Sequence, residues 1–153
     1  MIASTIHPDL GYATKVTSAL HVIGSTDPLL ESLRSKYPGT VIGTHSDSFH
    51  CDEVLACTML LYTDRFANPL IVRTRDQAAL ETFDILVDVG SVYDFSTLRL
   101  DHHQKSFTDT WDNSNDKYKG IRLSSAGLVY KHFGREVIRN ACKKVWSQDL
   151  TDT

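Results

Sequence analysis

Short apolar runs recur along the chain, each closed by a polar or acidic break. Thr40–Thr44 reads as a strand set off by the Pro38-Gly39 turn. A helix is predicted from about Asp52 to Tyr62. Val54, Leu55, Met59, Leu61 and Tyr62 supply its apolar face, and Asp52 and Glu53 suit the positive end of its dipole. Leu70–Arg73 is a second strand, and Asp76 caps a short helix reaching Leu80. Ile85–Val89 is a third strand, an apolar run broken only by Asp88, and a short strand at Thr97–Leu100 leads into Asp101, His102 and His103. A polar loop, Asp109–Lys119, precedes helices that start at Ser124 or Ser125, with a break expected at Gly134. Ahead of Pro38 stand only a short apolar stretch, Ala19–Ile23, and a helix at Pro28–Lys36 with Asp27 at its N-cap.

Strands alternating with helices predict an α/β fold, a mostly parallel sheet with helices on both faces. Residues 1–38 read as an N-terminal extension and 39–153 as one domain. The 41% hydrophobic content is enough for a core, and no run of 18 or more apolar residues offers a membrane span. Cys51, Cys57 and Cys142 are too scattered for a disulfide framework, which points to a reducing compartment. The start of the chain carries too few basic residues to make a good mitochondrial presequence. The net charge of −3 hides a segment, Lys117–Lys144, with eight basic residues against one acid, Glu136. Such a segment is either a solvated face or a surface for phosphates.

In parallel sheets ligands collect at the carboxyl ends of the strands. Three polar clusters fall there: His45, His50 and Asp52 after the first strand, Asp88 closing the third, and Asp101, His102 and His103 after the next. A single histidine or aspartate at such a place is ordinary; three clusters in one small domain are not. Imidazole with carboxylate, and only Cys51 nearby among thiols, suits Mn²⁺, Mg²⁺, Fe²⁺ or catalytic Zn²⁺ better than structural zinc or calcium. The ligands exceed the needs of one ion with an open position. Two divalent ions bridged by one carboxylate would use them, and such a site activates water against a phosphate ester or anhydride.

The segments GTHSDSFHCDEVLAC, VRTRD, DILVDVGSVYD, RLDHHQKSF and LSSAGLVYKHFG together resemble the MYG (melanocyte proliferating gene) family of the DHH phosphoesterase superfamily. The resemblance spans about Val41 to Ile138. It implies a DHH domain binding two divalent metals, with Mn²⁺ the first expectation, and 3′–5′ exonuclease activity on RNA inside the cell, in the nucleus and mitochondria. It implies that His45 and His50 ligate the first metal, that Asp52 and His102 serve the second, and that Asp88 bridges them. Asp101 would fix an imidazole tautomer, and His103 would face the substrate phosphate. Family members are about twice as long, so the chain reads as truncated, with a C-terminal domain and a fourth carboxylate ligand missing.

For the substrate, Arg73 and Arg75 beyond a strand end and Lys105 beyond the histidine pair are candidates for phosphate contact. Adjacent residues on an extended segment point to opposite sides, so His102 and His103 are expected to serve different partners. If the last helix ran through Gly134, Lys131, Arg135, Arg139 and Lys143 would form a stripe, and Trp111 in the polar loop could stack a base. Three functions remain open: a metal-dependent nuclease acting on single-stranded RNA or DNA from an end, a phosphohydrolase for a small substrate such as pyrophosphate, an oligonucleotide or a cyclic dinucleotide, and a non-catalytic metal or nucleic-acid binding module.

Overall fold

The computed structural model describes residues 20–22, 39–66, 69–148 and 150. Its strands are β1 (Leu20–Val22), β2 (Val41–Thr44), β3 (Leu70–Arg73), β4 (Ile85–Val87), β5 (Tyr93–Asp94) and β6 (Arg99–Leu100). Its helices are α1 (Cys51–Leu60), α2 (Gln77–Glu81) and α3 (Ser125–Trp146). The strands form one sheet in the order β1-β3-β2-β4-β6-β5, parallel throughout except for the β5–β6 pair.

Strand residues point alternately to the two faces, so a sheet covered on both sides needs apolar residues at consecutive positions. Ile42, Ile71, Ile85 and Val87 pack to one side with Cys57 and Leu60 of α1 and Leu128, Val129 and Phe133 of α3. Val41, Leu70, Val72 and Leu86 pack to the other with Ala79 and Leu80 of α2 and the neighbouring Phe83. Gly43 faces this second layer, where an added Cβ would stand 2.6 Å from both Leu86 Cδ2 and Phe83 Cδ2. The expected α/β architecture with helices on both faces is therefore what forms.

The elements differ from expectation where local geometry overrides the apolar pattern. Pairing in β4 stops at Val87, because Asp88 turns into the left-handed region at φ 58°. Thr97 belongs to a 3-10 turn, which leaves Arg99 and Leu100 alone to pair. The helix expected over 52–62 runs over 51–60. Gly134 does not break α3: the Tyr130 ring lies against it, and an added Cβ would come 2.8 Å from ring carbons. This glycine makes room for a ring rather than ending a helix, so the basic stripe shares one helix. The helix expected at Pro28–Lys36 lies outside the described residues.

The topology places the site. The chain leaves β2 through α1 to reach β3 on one side, and leaves β4 towards β5 and β6 on the other. Where adjacent parallel strands send their connections in opposite directions, a crevice opens at their carboxyl ends. His45 follows β2 and Asp88 follows β4, one on each side of that crevice.

Candidate metal centre

His45 is 2% exposed, and its orientation is fixed locally. Its Nδ1 donates to the carbonyl of Ser46 at 2.8 Å, which leaves Nε2 as the lone-pair atom. That nitrogen has no hydrogen-bond partner among the described residues. It stands 3.5 Å from Glu53 Oε2 and 3.6 Å from Asp88 Oδ2. An imidazole lone pair aimed between two buried carboxylates is acceptor facing acceptor, and a cation between them removes the repulsion. The His50 ring lies alongside, with centroids 4.9 Å apart, and His45, His50, Glu53 and Asp88 offer donor atoms close enough to hold an ion.

Asp88 reaches a second group through its other oxygen. Oδ1 lies 3.5 Å from Nδ1 of both His102 and His103, and it accepts from Ser125 Oγ at 3.1 Å. Asp88, Asp101, His102 and His103 form this second group that could hold an ion. The N-terminus of α3 closes it. Asp52 accepts there from Ser124 Oγ and from the backbone N–H of Ser125 and Ala126, satisfying donors that the helix itself cannot. The Ser125 N–H also points at His102 Nδ1, 3.1 Å away. A helix N-terminus carries partial positive charge, so both aspartates sit where it favours them.

The charges are arranged unequally. Burial pushes the Asp88 carboxyl above its ordinary range, and the nearby Asp52 charge adds to this. A cation would reverse both effects, since it favours the ionised carboxylate. For Glu53, burial pushes upward, but the hydrogen bonds from the His50 N–H and Arg73 prevail and hold it below the ordinary range. His103 donates from Nδ1 to Asp101 Oδ1 at 2.7 Å, a bond that raises its pKa. A cavity of about 240 Å³ opens over His45, His50, Asp88, Asp101 and His103, with Arg75 at its edge.

The fold thus brings His45, His50 and Asp88 together, and Asp88 with Asp101, His102 and His103. Asp52 belongs to neither group, although its Oδ2 is 3.6 Å from His102 Nδ1; its oxygens are engaged by α3. Asp101 fixes the tautomer of His103, and its Oδ2 accepts from the Ser91 N–H at 2.6 Å. His102 and His103 do not point to opposite sides as an extended segment would require, since their ring centroids are only 4.4 Å apart. The cause is a turn: β6 ends at Leu100, and Asp101 Oδ1 accepts from the His103 N–H at 3.2 Å.

The basic candidates part company. Arg73 is buried beneath Phe49, with its guanidinium carbon 3.9 Å from the ring centroid, and bonds Glu53 Oε1 and the Ser48 carbonyl. It braces the β2–α1 loop from within instead of meeting the cavity. Arg75 does line the cavity and pairs with Asp47 at 3.4 Å, both largely exposed. Lys105 is exposed and outside the cavity lining. Glu53 is the residue that the local pattern does not reveal. Its position in the first turn of α1 suits the dipole, but its buried partners, Arg73 at the end of β3 and His45 just beyond β2, come from other elements.

A family model described as an uncharacterised protein family (UPF0160), under the name MYG1_exonuc, matches residues 41–152. A MYG1 protein of Caenorhabditis elegans is 54% identical over 99 residues, 65% of this chain and 29% of the relative. The mouse MYG1 exonuclease is 46% identical over 113 residues, 73% of this chain and 30% of the relative. The human MYG1 exonuclease is 50% identical over 98 residues, 63% of this chain and 26% of the relative. The chain therefore spans less than a third of the length of these relatives. No solved structure matches it.

Proposed function

The chain belongs to the MYG1 family, UPF0160, and on that premise we propose that it is a divalent-metal-dependent phosphodiester hydrolase, a 3′–5′ exonuclease acting on RNA. The observation that carries this reading is Asp88, whose two oxygens face two separate imidazole groups. Two of the relatives bear the name exonuclease, which supports the same reaction class.

In this reading His45, His50 and Asp88 would hold a first ion, with Mn²⁺ the favoured metal. His102 and Asp88 would hold a second, with Asp52 alongside. Bound there, such a pair of cations supplies Lewis-acid activation of water and neutralises charge at a phosphoryl oxygen. The rest falls to the protein. Glu53 holds the β2–α1 loop through the His50 N–H, which keeps both first-group imidazoles in place. Asp101 commits Nδ1 of His103, so Nε2 is the atom left to meet a phosphate oxygen or protonate a leaving group. Arg75, exchanging Asp47 for substrate, would bind a second phosphate oxygen, and Lys105 stands two residues beyond His103.

The test is cleavage of labelled single-stranded RNA by the Mn²⁺-loaded chain, with pyrophosphate as competitor substrate and a chelated control. Stepwise shortening from a free 3′ end that ceases on chelation is expected. Hydrolysis of pyrophosphate alone, or cleavage that survives chelation, would overturn the reading.

A further inference from the structure

Beside the metal groups stands an aromatic surface that they do not use. Trp111 and Tyr130 are 43% and 41% exposed, and their rings meet at 5.8 Å between centroids with 36° between planes. The loop that carries Trp111 is fixed on both flanks. Asn113 Oδ1 accepts from both the N–H and the hydroxyl of Thr110, and Lys131 Nζ donates to the Thr110 carbonyl at 2.9 Å. Gly134 lets the Tyr130 ring lie against the helix. Two large, part-exposed rings are thus ordered in advance, which cuts the entropy lost when a flat ligand settles on them.

We propose that Trp111 and Tyr130 form a stacking platform for a base of single-stranded nucleic acid whose phosphates run to the candidate metal centre.

Continuity with the centre supports this occupant. The loop holding Trp111 begins at His103, and its Phe107 packs against the His102 ring at 6.3 Å between centroids. Its Asp109 carbonyl accepts from the Leu123 N–H, two residues before α3. Tyr130 lies five residues beyond Ser125, which bonds Asp88, a rise of about 7.5 Å along the helix axis and a turn of about 140° around it. The stretch that carries Tyr130, Lys117–Lys144, is basic, with one acid, Glu136, while Trp111 stands between Asp109 and Asp112. Stacking on an aromatic face needs no particular base, so the platform suits an enzyme that moves along a strand.

The inference rests on the reading of the centre as a phosphodiester hydrolase, and its test separates the two. Trp146→Phe leaves Trp111 as the sole tryptophan and fluorescent reporter. In EDTA, where no turnover occurs, a short oligouridylate should quench Trp111, and an abasic strand of equal length should not. Trp111→Ala should weaken oligouridylate binding about tenfold, the loss of one stacked base, and leave abasic-strand binding unchanged. Trp111→Phe should restore most of it. Parent-like affinity in Trp111→Ala, equal losses on both strands, or no binding of oligouridylate by the parent would overturn the platform. Base-dependent binding without Mn²⁺-dependent cleavage would sink the hydrolase reading and leave the platform standing.

Discussion

Asp88 Oδ2 lies 3.6 Å from Nε2 of His45, a buried nitrogen that no hydrogen-bond donor among the described residues reaches. The opposite oxygen of the same carboxylate faces His102 and His103. One anionic group therefore serves both halves of the site, and its removal should be felt by both.

Asp88→Asn keeps the size of the side chain and removes its charge. Mn²⁺ binding should fall by more than about 100-fold, beyond the ~10–100-fold typical of outer-shell partners, and both sites should weaken together. His50→Asp exchanges one ligand type for another and should keep measurable binding. Titration calorimetry separates the outcomes: loss of one ion alone in Asp88→Asn would refute a bridging Asp88, and equal, full loss in both variants would refute the ligand assignment.

Glu53 and Arg73 form a buried ion pair, with the Arg73 N–H 3.2 Å from Oε1. Glu53→Ala leaves the guanidinium buried beneath Phe49 without its carboxylate, a change that costs about 3–5 kcal/mol in comparable pairs. Denaturant unfolding should show this loss, and Glu53→Gln should recover part of it by still accepting the His50 N–H. The carboxyl is held below its ordinary value near 4.5. Its contribution to stability is thus full above that value and declines as pH falls through the lower folded-state pKa. A variant whose stability matched the parent throughout would show that the pair is dispensable.

His132 gives a pH effect of different origin. Its ring stacks on Phe95 at 3.7 Å between centroids, and Nε2 meets the Tyr93 hydroxyl at 2.9 Å. Burial lowers its pKa below the ordinary 6.5, Lys131 adds to this, and Asp109 opposes it. Because the folded state resists the proton, stability from this residue is present above pH 6.5 and lost as pH falls through and below it. Unfolding free energies measured between pH 8 and pH 5, a range spanning the ordinary histidine value, should fall towards acid. His132→Gln should flatten that slope, and an unchanged slope would exonerate His132.

Much of this was legible in the sequence for a simple reason. Strands covered on both faces must be apolar at consecutive positions, so Leu70–Arg73 stands out as a unit, and Asp76 announces the helix that it caps. The polar clusters stand out because they follow those strands. What local pattern cannot convey is a contact made across the fold. Glu53 looks like an ordinary first-turn acid until Arg73 and His45 close around it. Gly134 looks like a helix break until the Tyr130 ring is laid against it. Asp52 looks like a ligand of the same rank as His45, but α3, more than seventy residues later, brings three donors to its oxygens.

The sharpest functional contest concerns His103. Its side chain is 56% exposed at the cavity, against 3% for His45, so it is open to substrate in a way that the first-group imidazole is not. Asp101 Oδ1 takes both its backbone N–H and its Nδ1 proton, which fixes the ring and leaves Nε2 as the working atom. The bond to Asp101 favours the protonated imidazole, and a ring fixed in that way can give a proton to an oxygen that gains charge in the transition state. Yet its Nδ1 is also 3.5 Å from Asp88, so ligation is the rival role. His103→Ala decides between them. As a proton donor, its loss should leave Mn²⁺ stoichiometry intact and lower turnover on RNA by about 10²-fold or more. Loss of one Mn²⁺ per chain would make it a ligand, and parent-like turnover with both ions bound would remove it from the chemistry. Asp101→Asn should follow His103→Ala in turnover with Mn²⁺ stoichiometry intact if the acid acts through that ring, and loss of an ion would make Asp101 a ligand.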